Sequence, residues 1–139
     1  MVGYSQVSSM SGIIFQSPYL RIMMPDCHFM MHFGTSNSGS VHPFALRNYA
    51  KLEVQSCNRM LQIFAKRAIN GTYFKKKKSS SLSSVISFFD KKLKKEVDWY
   101  LDAEKSIYYG LADGILGSEE YPHLDFLRKD SESNAEQKI

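Results

Sequence analysis

Along the first third of the chain, apolar residues come in short runs separated by turn residues. Tyr4–Ser8 is short and half apolar, which predicts the end of a strand entering a turn. Ser9-Met10-Ser11-Gly12-Ile13-Ile14-Phe15 predicts a turn that opens a short buried helix, stopped by Pro18. Leu20–Pro25 is an apolar run of strand length, and Pro25-Asp26 marks a turn. Beyond it His28, Met30 and His32 alternate with Phe29 and Met31, the period of two that a strand imposes. That alternation puts His28 and His32 on one face. Six of the seven methionines fall within the first 31 residues, predicting a soft apolar core there.

After the polar loop Gly34–Ser40 the period lengthens. Pro43 stands where a first helical residue would. Apolar residues then recur at Leu46, Tyr49, Ala50, Cys57, Met60, Leu61, Phe64 and Ala68, a helix running to Ile69 and unusually long for so small a chain. Asn70-Gly71 ends it in a pair that tolerates the left-handed region. Lys75–Ser84 contains only Lys, Ser and one Leu, and predicts a flexible surface insert. A second helix carries Leu82, Val85, Ile86, Phe89 and Leu93 on one face and lysines on the other, until Asp98–Leu101 interrupts it. Asp102 then caps a third helix, with Glu104 in its first turn and Gly110 just past its end. Leu111–Leu116 predicts a turn into a last short strand, and the polar tail 129–139 predicts disorder. No internal repeat is visible.

Composition narrows the class. With 139 residues, 43% hydrophobic and 23% charged, the chain reads as one soluble globular domain, not a disordered polymer. Cys27 and Cys57 lie far apart with no second pair, which predicts reduced thiols of a cytosolic protein, not a bridge or a zinc site. No apolar stretch is long enough to span a membrane, and Met1–Ser5 has no signal-peptide pattern. The net charge of +4 is uneven: residues 75–95 hold eight lysines and one acid, a local +7 over a remainder of −3. Such runs are usually solvated faces; a small nucleic-acid binder is the alternative, with no aromatic sheet motif to support it.

Nucleophilic hydrolysis needs a hydroxyl, a base and a group that orients the base. Of 19 serines, Ser9 sits at a predicted strand-to-helix turn, where the Met10 N–H points at a developing oxyanion. Ser8 and Ser11 compete with it on spacing alone. No G-x-S-x-G elbow is present, which argues against an α/β-hydrolase. Among His28, His32, His42 and His123, His32 ends its strand just before a loop, a common place for a catalytic group. No spacing suits a metal, and no Gly-rich phosphate loop occurs.

The order Ser9, His32, Asp98 carries a family resemblance. Ser5-Gln6-Val7-Ser8-Ser9-Met10-Ser11 resembles the nucleophile motif G-Q-A-A-S-M-G of the proteolytic subunit of the ATP-dependent Clp protease. Met24–His32 resembles that family's L-P-N-x-x-x-M-I-H. Asp98–Glu104 followed by Tyr109–Asp113 resembles its D-x-F-L-T-A-x-E-A-x-x-Y-G-L-I-D. The three blocks occur in the family order and cover about residues 3 to 117.

The resemblance implies a serine endopeptidase with Ser9 as nucleophile, His32 as base, Asp98 as third member and Met10 N–H as oxyanion donor. It implies an α/β fold, the Clp-peptidase and crotonase spiral of β-β-α units, with Pro43–Ile69 as a protruding handle. On that reading residues 1–117 are the catalytic and handle region, residues 75–84 an insert, and residues 118–139 a C-terminal extension. The family's earlier strand–helix units, axial loops and oxyanion glycine motif would precede this chain. Heptameric rings stacked as a tetradecamer, a partner AAA+ unfoldase that alone uses ATP, and unfolded polypeptide substrates complete the expectation. It implies a cytoplasmic location (the host's, for a phage-type member) and no cofactor, nucleic acid or membrane partner. Ser5 and Ser11 stand where the family has glycines, and Val97 where it usually has a ring-interface arginine. A catalytically impaired assembly subunit is the second reading, and an acyl-CoA enzyme of crotonase type shares the fold.

Overall fold

The computed structural model describes residues 1–77 and 81–127. The first 31 residues form four short strands around one short helix: β1 (Val2–Gly3), β2 (Gln6–Ser8), α1 (Met10–Ile14), β3 (Ile22–Met23) and β4 (His28–Met31). Strand β1, which the apolar pattern does not announce, is two residues long. It exists because β3 pairs with it in parallel, Val2 against Ile22 and Gly3 against Met23. The remaining elements are α2 (Pro43–Ala68), α3 (Thr72–Lys76), α4 (Leu82–Glu96), β5 (Trp99–Leu101), α5 (Ala103–Tyr108) and β6 (Gly114–Ile115).

These strands make two small sheets in a mixed α/β architecture. One is parallel throughout, in the order β1-β3-β6. The other has the order β2-β4-β5, with β2 parallel and β5 antiparallel to the central β4. Phe29 of β4 points into the core between Phe15 and Phe64, at ring-centre distances of 6.4 Å and 6.0 Å. Of the methionines expected in a soft core, only Met23 and Met31 are buried. Met30 faces the opposite side of β4, and Met10 lies on the outer face of α1.

Helix α2 begins as expected, with Pro43 at its first position and the His42 ring accepting from Phe44 N–H at 3.4 Å. Its buried residues are Leu61, Phe64, Ala65 and Ala68, all in its second half. Among the described residues nothing covers much of the first half: Phe44, Leu52 and Val54 are 70%, 56% and 61% exposed. The helix does not end in a left-handed glycine. Gly71 has φ −61° and starts α3. Its lack of a side chain serves close packing, since a Cβ there would lie 2.6 Å from Gly110 N. Gly110 itself has φ +75°, as expected of a residue past the end of α5.

The Lys/Ser stretch is more ordered at its ends than its composition suggests. Lys75 and Lys76 close α3, and Leu82 opens α4 behind Ser81, whose hydroxyl accepts from Ser84 N–H at 3.2 Å. Residues 78–80, and the tail 128–139, lie outside the described residues. Tyr73, Phe74, Phe88, Phe89, Trp99 and Tyr109 form a cluster of edge-on and tilted rings joining α3, α4, β5 and α5. Lys77 lies 4.5 Å above Tyr73 and Lys92 5.2 Å above Trp99, so part of the basic segment is spent on aromatic faces. Among the described residues no helix is long and apolar enough to cross a membrane.

The sheet β1-β3-β6 is tied down by a buried arginine. Arg21 donates to Asp113 through its backbone N–H at 2.8 Å and through Nε at 2.9 Å, and its guanidinium also reaches Gln16 Oε1 and Gly110 O. Asp113 N–H returns a bond to Arg21 O at 2.8 Å. Arg67 of α2 approaches the same carboxylate at 3.9 Å. Burial works to raise the Asp113 carboxyl, but hydrogen bonds and charge from Arg21, helped by Arg67, hold it below its ordinary value. Because the native value is the lower one, this contribution is present above the ordinary carboxylate range. It is lost as pH falls through the lowered value. Asp113→Asn leaves a buried guanidinium unpaired and should cost about 3 kcal/mol at neutral pH. In urea titrations the gap between wild type and variant should close as pH falls below that range.

Candidate active site

Backbone register brings three distant residues to one corner. In the parallel pair Ser8 stands opposite Met30, so Ser9 follows level with Met31. In the antiparallel pair Met31 stands opposite Trp99, so His32, one step on, meets Asp98, one step back. Ser9 thus leaves the C-terminal end of β2, His32 the C-terminal end of β4, and Asp98 precedes β5. All three lie beyond the same edge of the second sheet.

The side chains complete what the register begins. Ser9 Oγ lies 2.8 Å from His32 Nε2, and His32 Nδ1 lies 3.0 Å from Asp98 Oδ1. With the ring proton on Nδ1, that nitrogen donates to the carboxylate and Nε2 accepts from the serine hydroxyl. A hydroxyl, a base and a carboxylate are in line, with both bonds in hydrogen-bonding range. The His32 side chain is about one-fifth exposed and that of Asp98 half exposed.

Two backbone positions carry the geometry. Ser9 has φ +54° and ψ −123°, outside the regions L-residues favour, at the turn from β2 into α1. Its N–H donates to Met30 O at 3.1 Å, and its carbonyl accepts from Gly12 N–H at 3.0 Å. Val97 has φ +65° and ψ −70°, and Asp98 N–H donates to Glu96 O at 2.9 Å. Those angles and that bond make a γ-turn of the rarer hand, here on a β-branched residue. Each such conformation costs about 1–3 kcal/mol. Both lie directly at the corner that the three side chains share.

The competing serines are accounted for. Ser11 Oγ accepts from Ser8 N–H at 2.8 Å and donates to Ser8 O at 2.7 Å. Ser8 Oγ is buried with no partner among the described residues. Neither meets a base. Met10 N–H is a first-turn amide of α1, to which the helix itself offers no acceptor. The other histidines lie elsewhere: His28 is exposed at the start of β4, His42 caps α2, and His123 Nδ1 accepts from Phe126 N–H at 3.2 Å. Burial pushes the Cys27 thiol up, and burial with the Glu53 carboxylate does the same to Cys57, so neither is an activated thiolate. Among the described residues no group of three or more His, Cys, Asp and Glu is placed to hold a metal ion.

Sequence reasoning missed three supporting features. Arg21 and Asp113 are 92 residues apart, and no local pattern links them. Ser11 reads as a rival nucleophile until its hydroxyl is seen to be committed. Val97 carries no turn signal, because a valine is the wrong residue for the conformation it holds. No protein-family model and no curated protein matches the chain.

Strain at Val97 is exposed to test, because its side chain packs on little and the residue is 69% exposed. Val97→Gly should raise stability by about 1 kcal/mol, the relief of strain outweighing the added freedom of the unfolded chain. Thermal unfolding would register it as a higher Tm.

Proposed function

We propose that the chain is a serine-type peptidase in which Ser9, His32 and Asp98 act as a triad. The observation that carries the reading is the unbroken hydrogen-bond line from Ser9 Oγ through both ring nitrogens of His32 to Asp98 Oδ1. Ser9 Oγ attacks the carbonyl carbon of an amide as His32 Nε2 takes the hydroxyl proton. Asp98 holds the ring tautomer and stabilises the imidazolium. Met10 N–H donates to the oxyanion. His32 then protonates the departing amine, leaving an acyl-Ser9 ester that water hydrolyses by the reverse sequence. A structural role for the three side chains is the weaker reading. Strain at both Ser9 and Val97 is more easily understood at a functional corner than in a surface ornament.

The finer reading is a Clp-type peptidase: a β-β-α spiral acting on unfolded polypeptides in heptameric rings stacked as a tetradecamer and fed by an AAA+ unfoldase. Its support is the resemblance of the three motif blocks, in order, around these same residues. The uncovered first half of α2 supports self-association, since Phe44, Leu52 and Val54 are apolar and find no cover among the described residues. α2 would then serve as the handle between rings.

Activity-based labelling tests the chemistry. A fluorophosphonate should modify Ser9 of the full chain, Ser9→Ala should abolish the modification, and Asp98→Asn should slow it by about 10³–10⁴-fold through loss of the correct tautomer. An unlabelled, folded wild type would sink the peptidase reading. Sedimentation velocity tests the assembly: Phe44→Asp with Leu52→Asp should dissociate the oligomer while far-UV circular dichroism stays unchanged. A wild type that sediments as a monomer would count against the rings.

A further inference from the structure

Ser11 does not reach His32, yet its hydroxyl both accepts and donates a hydrogen bond. The oxygen accepts from Ser8 N–H at 2.8 Å and its proton goes to Ser8 O at 2.7 Å. One hydroxyl thus holds both main-chain polar groups of a single residue, closing a ring across Ser9 and Met10. The direction of those groups explains why a side chain is needed. Ser5 O accepts from His28 N–H, and Ser9 N–H donates to Met30 O, so the odd-numbered residues here turn their main chain toward β4. Ser8 therefore turns its own toward the open side of β2, the outer strand of its sheet among the described residues.

We infer that Ser11 is a positioning residue, whose hydroxyl clasps Ser8 and so holds the left-handed Ser9 with Oγ aimed at His32 Nε2. The inference rests on reading Ser9 as the nucleophile. Ser9 is fixed on the β4 side by its own N–H and on the helix side by the bonds its carbonyl accepts from Gly12 and Ile13. The remaining freedom is rotation of the Ser8–Ser9 segment about the edge of the sheet. A relaxed Ser9 with negative φ would swing its Cα–Cβ bond away from the imidazole. The Ser11 clasp closes that route from the open side. Ser11 touches no reacting atom and acts through Ser9 alone.

The test uses the full chain and excess fluorophosphonate, recording both the rate of Ser9 labelling and the final stoichiometry. Ser11→Ala and Ser11→Gly should slow labelling at least about tenfold, as misplacement of a reacting group does, with stoichiometry unchanged. Ser11→Thr keeps the hydroxyl on the same carbon and should restore the wild-type rate. Failure to fold would lower the stoichiometry, which separates a positioning role from a merely structural one. The inference is overturned if the Ala and Gly variants label at the wild-type rate. It is also overturned if they lose stoichiometry in step with rate, or if the Thr variant is as slow as Ala. An unlabelled wild type removes this proposal together with the peptidase reading. A labelled wild type with unaffected variants removes this proposal alone.

Discussion

Everything at the candidate site depends on the register of one four-residue strand. β4 is paired on both sides, in parallel with β2 and antiparallel with β5. Its parallel neighbour delivers a residue leaving its strand, and its antiparallel neighbour one about to enter. Opposite chain directions thus bring residues 9, 32 and 98 to the same sheet edge. A slip of one residue in either pairing would turn His32 or its partners to the other face. Phe29 and Met31 resist such a slip, because the same shift would expel them from the core.

The rest of the molecule supports that strand from two directions. Below, Phe29 is gripped by Phe15 and by Phe64 of α2, coupling the sheet to the second half of that 26-residue helix. Beside it, the aromatic cluster holds Trp99, the residue next to Asp98, against Phe88, Phe89 and Tyr109. The Arg21–Asp113 pair secures the other sheet and the end of α1 through Gln16, whose side chain also reaches Gly12 O and Leu111 O. Polar bonds do this work where the strands are only two residues long and backbone pairing alone is thin.

Much of this was legible in the sequence, and what was not has physical reasons. The period of two at His28–His32 and the turn at Ser9 were visible because they are local. The long helix, its proline start and the Asp102 cap were legible for the same reason, and Asp102 Oδ1 indeed accepts from Lys105 N–H at 2.7 Å. Strand β1 was hidden because two residues carry no period. Gly71 is ambiguous in sequence, because a glycine needed for close approach looks the same as one needed for a left-handed turn. Order at the ends of the Lys/Ser stretch is not legible, since composition reports solvation and misses a cap such as Ser81. The pairing of Arg21 with Asp113 is set by the tertiary fold, beyond any window along the chain.

The γ-turn at Val97 bears on the order in which the molecule comes apart. Strain there and at Ser9 is held by a few surface hydrogen bonds, whereas Phe29, Phe64 and Phe89 are fully buried. Local opening draws on the least protected segments first, and release of strain lowers its cost further. On warming, the corner joining Ser9, His32 and Asp98 therefore loosens while the aromatic core is still intact. The geometry of this corner should therefore be lost at a lower temperature than the fold itself.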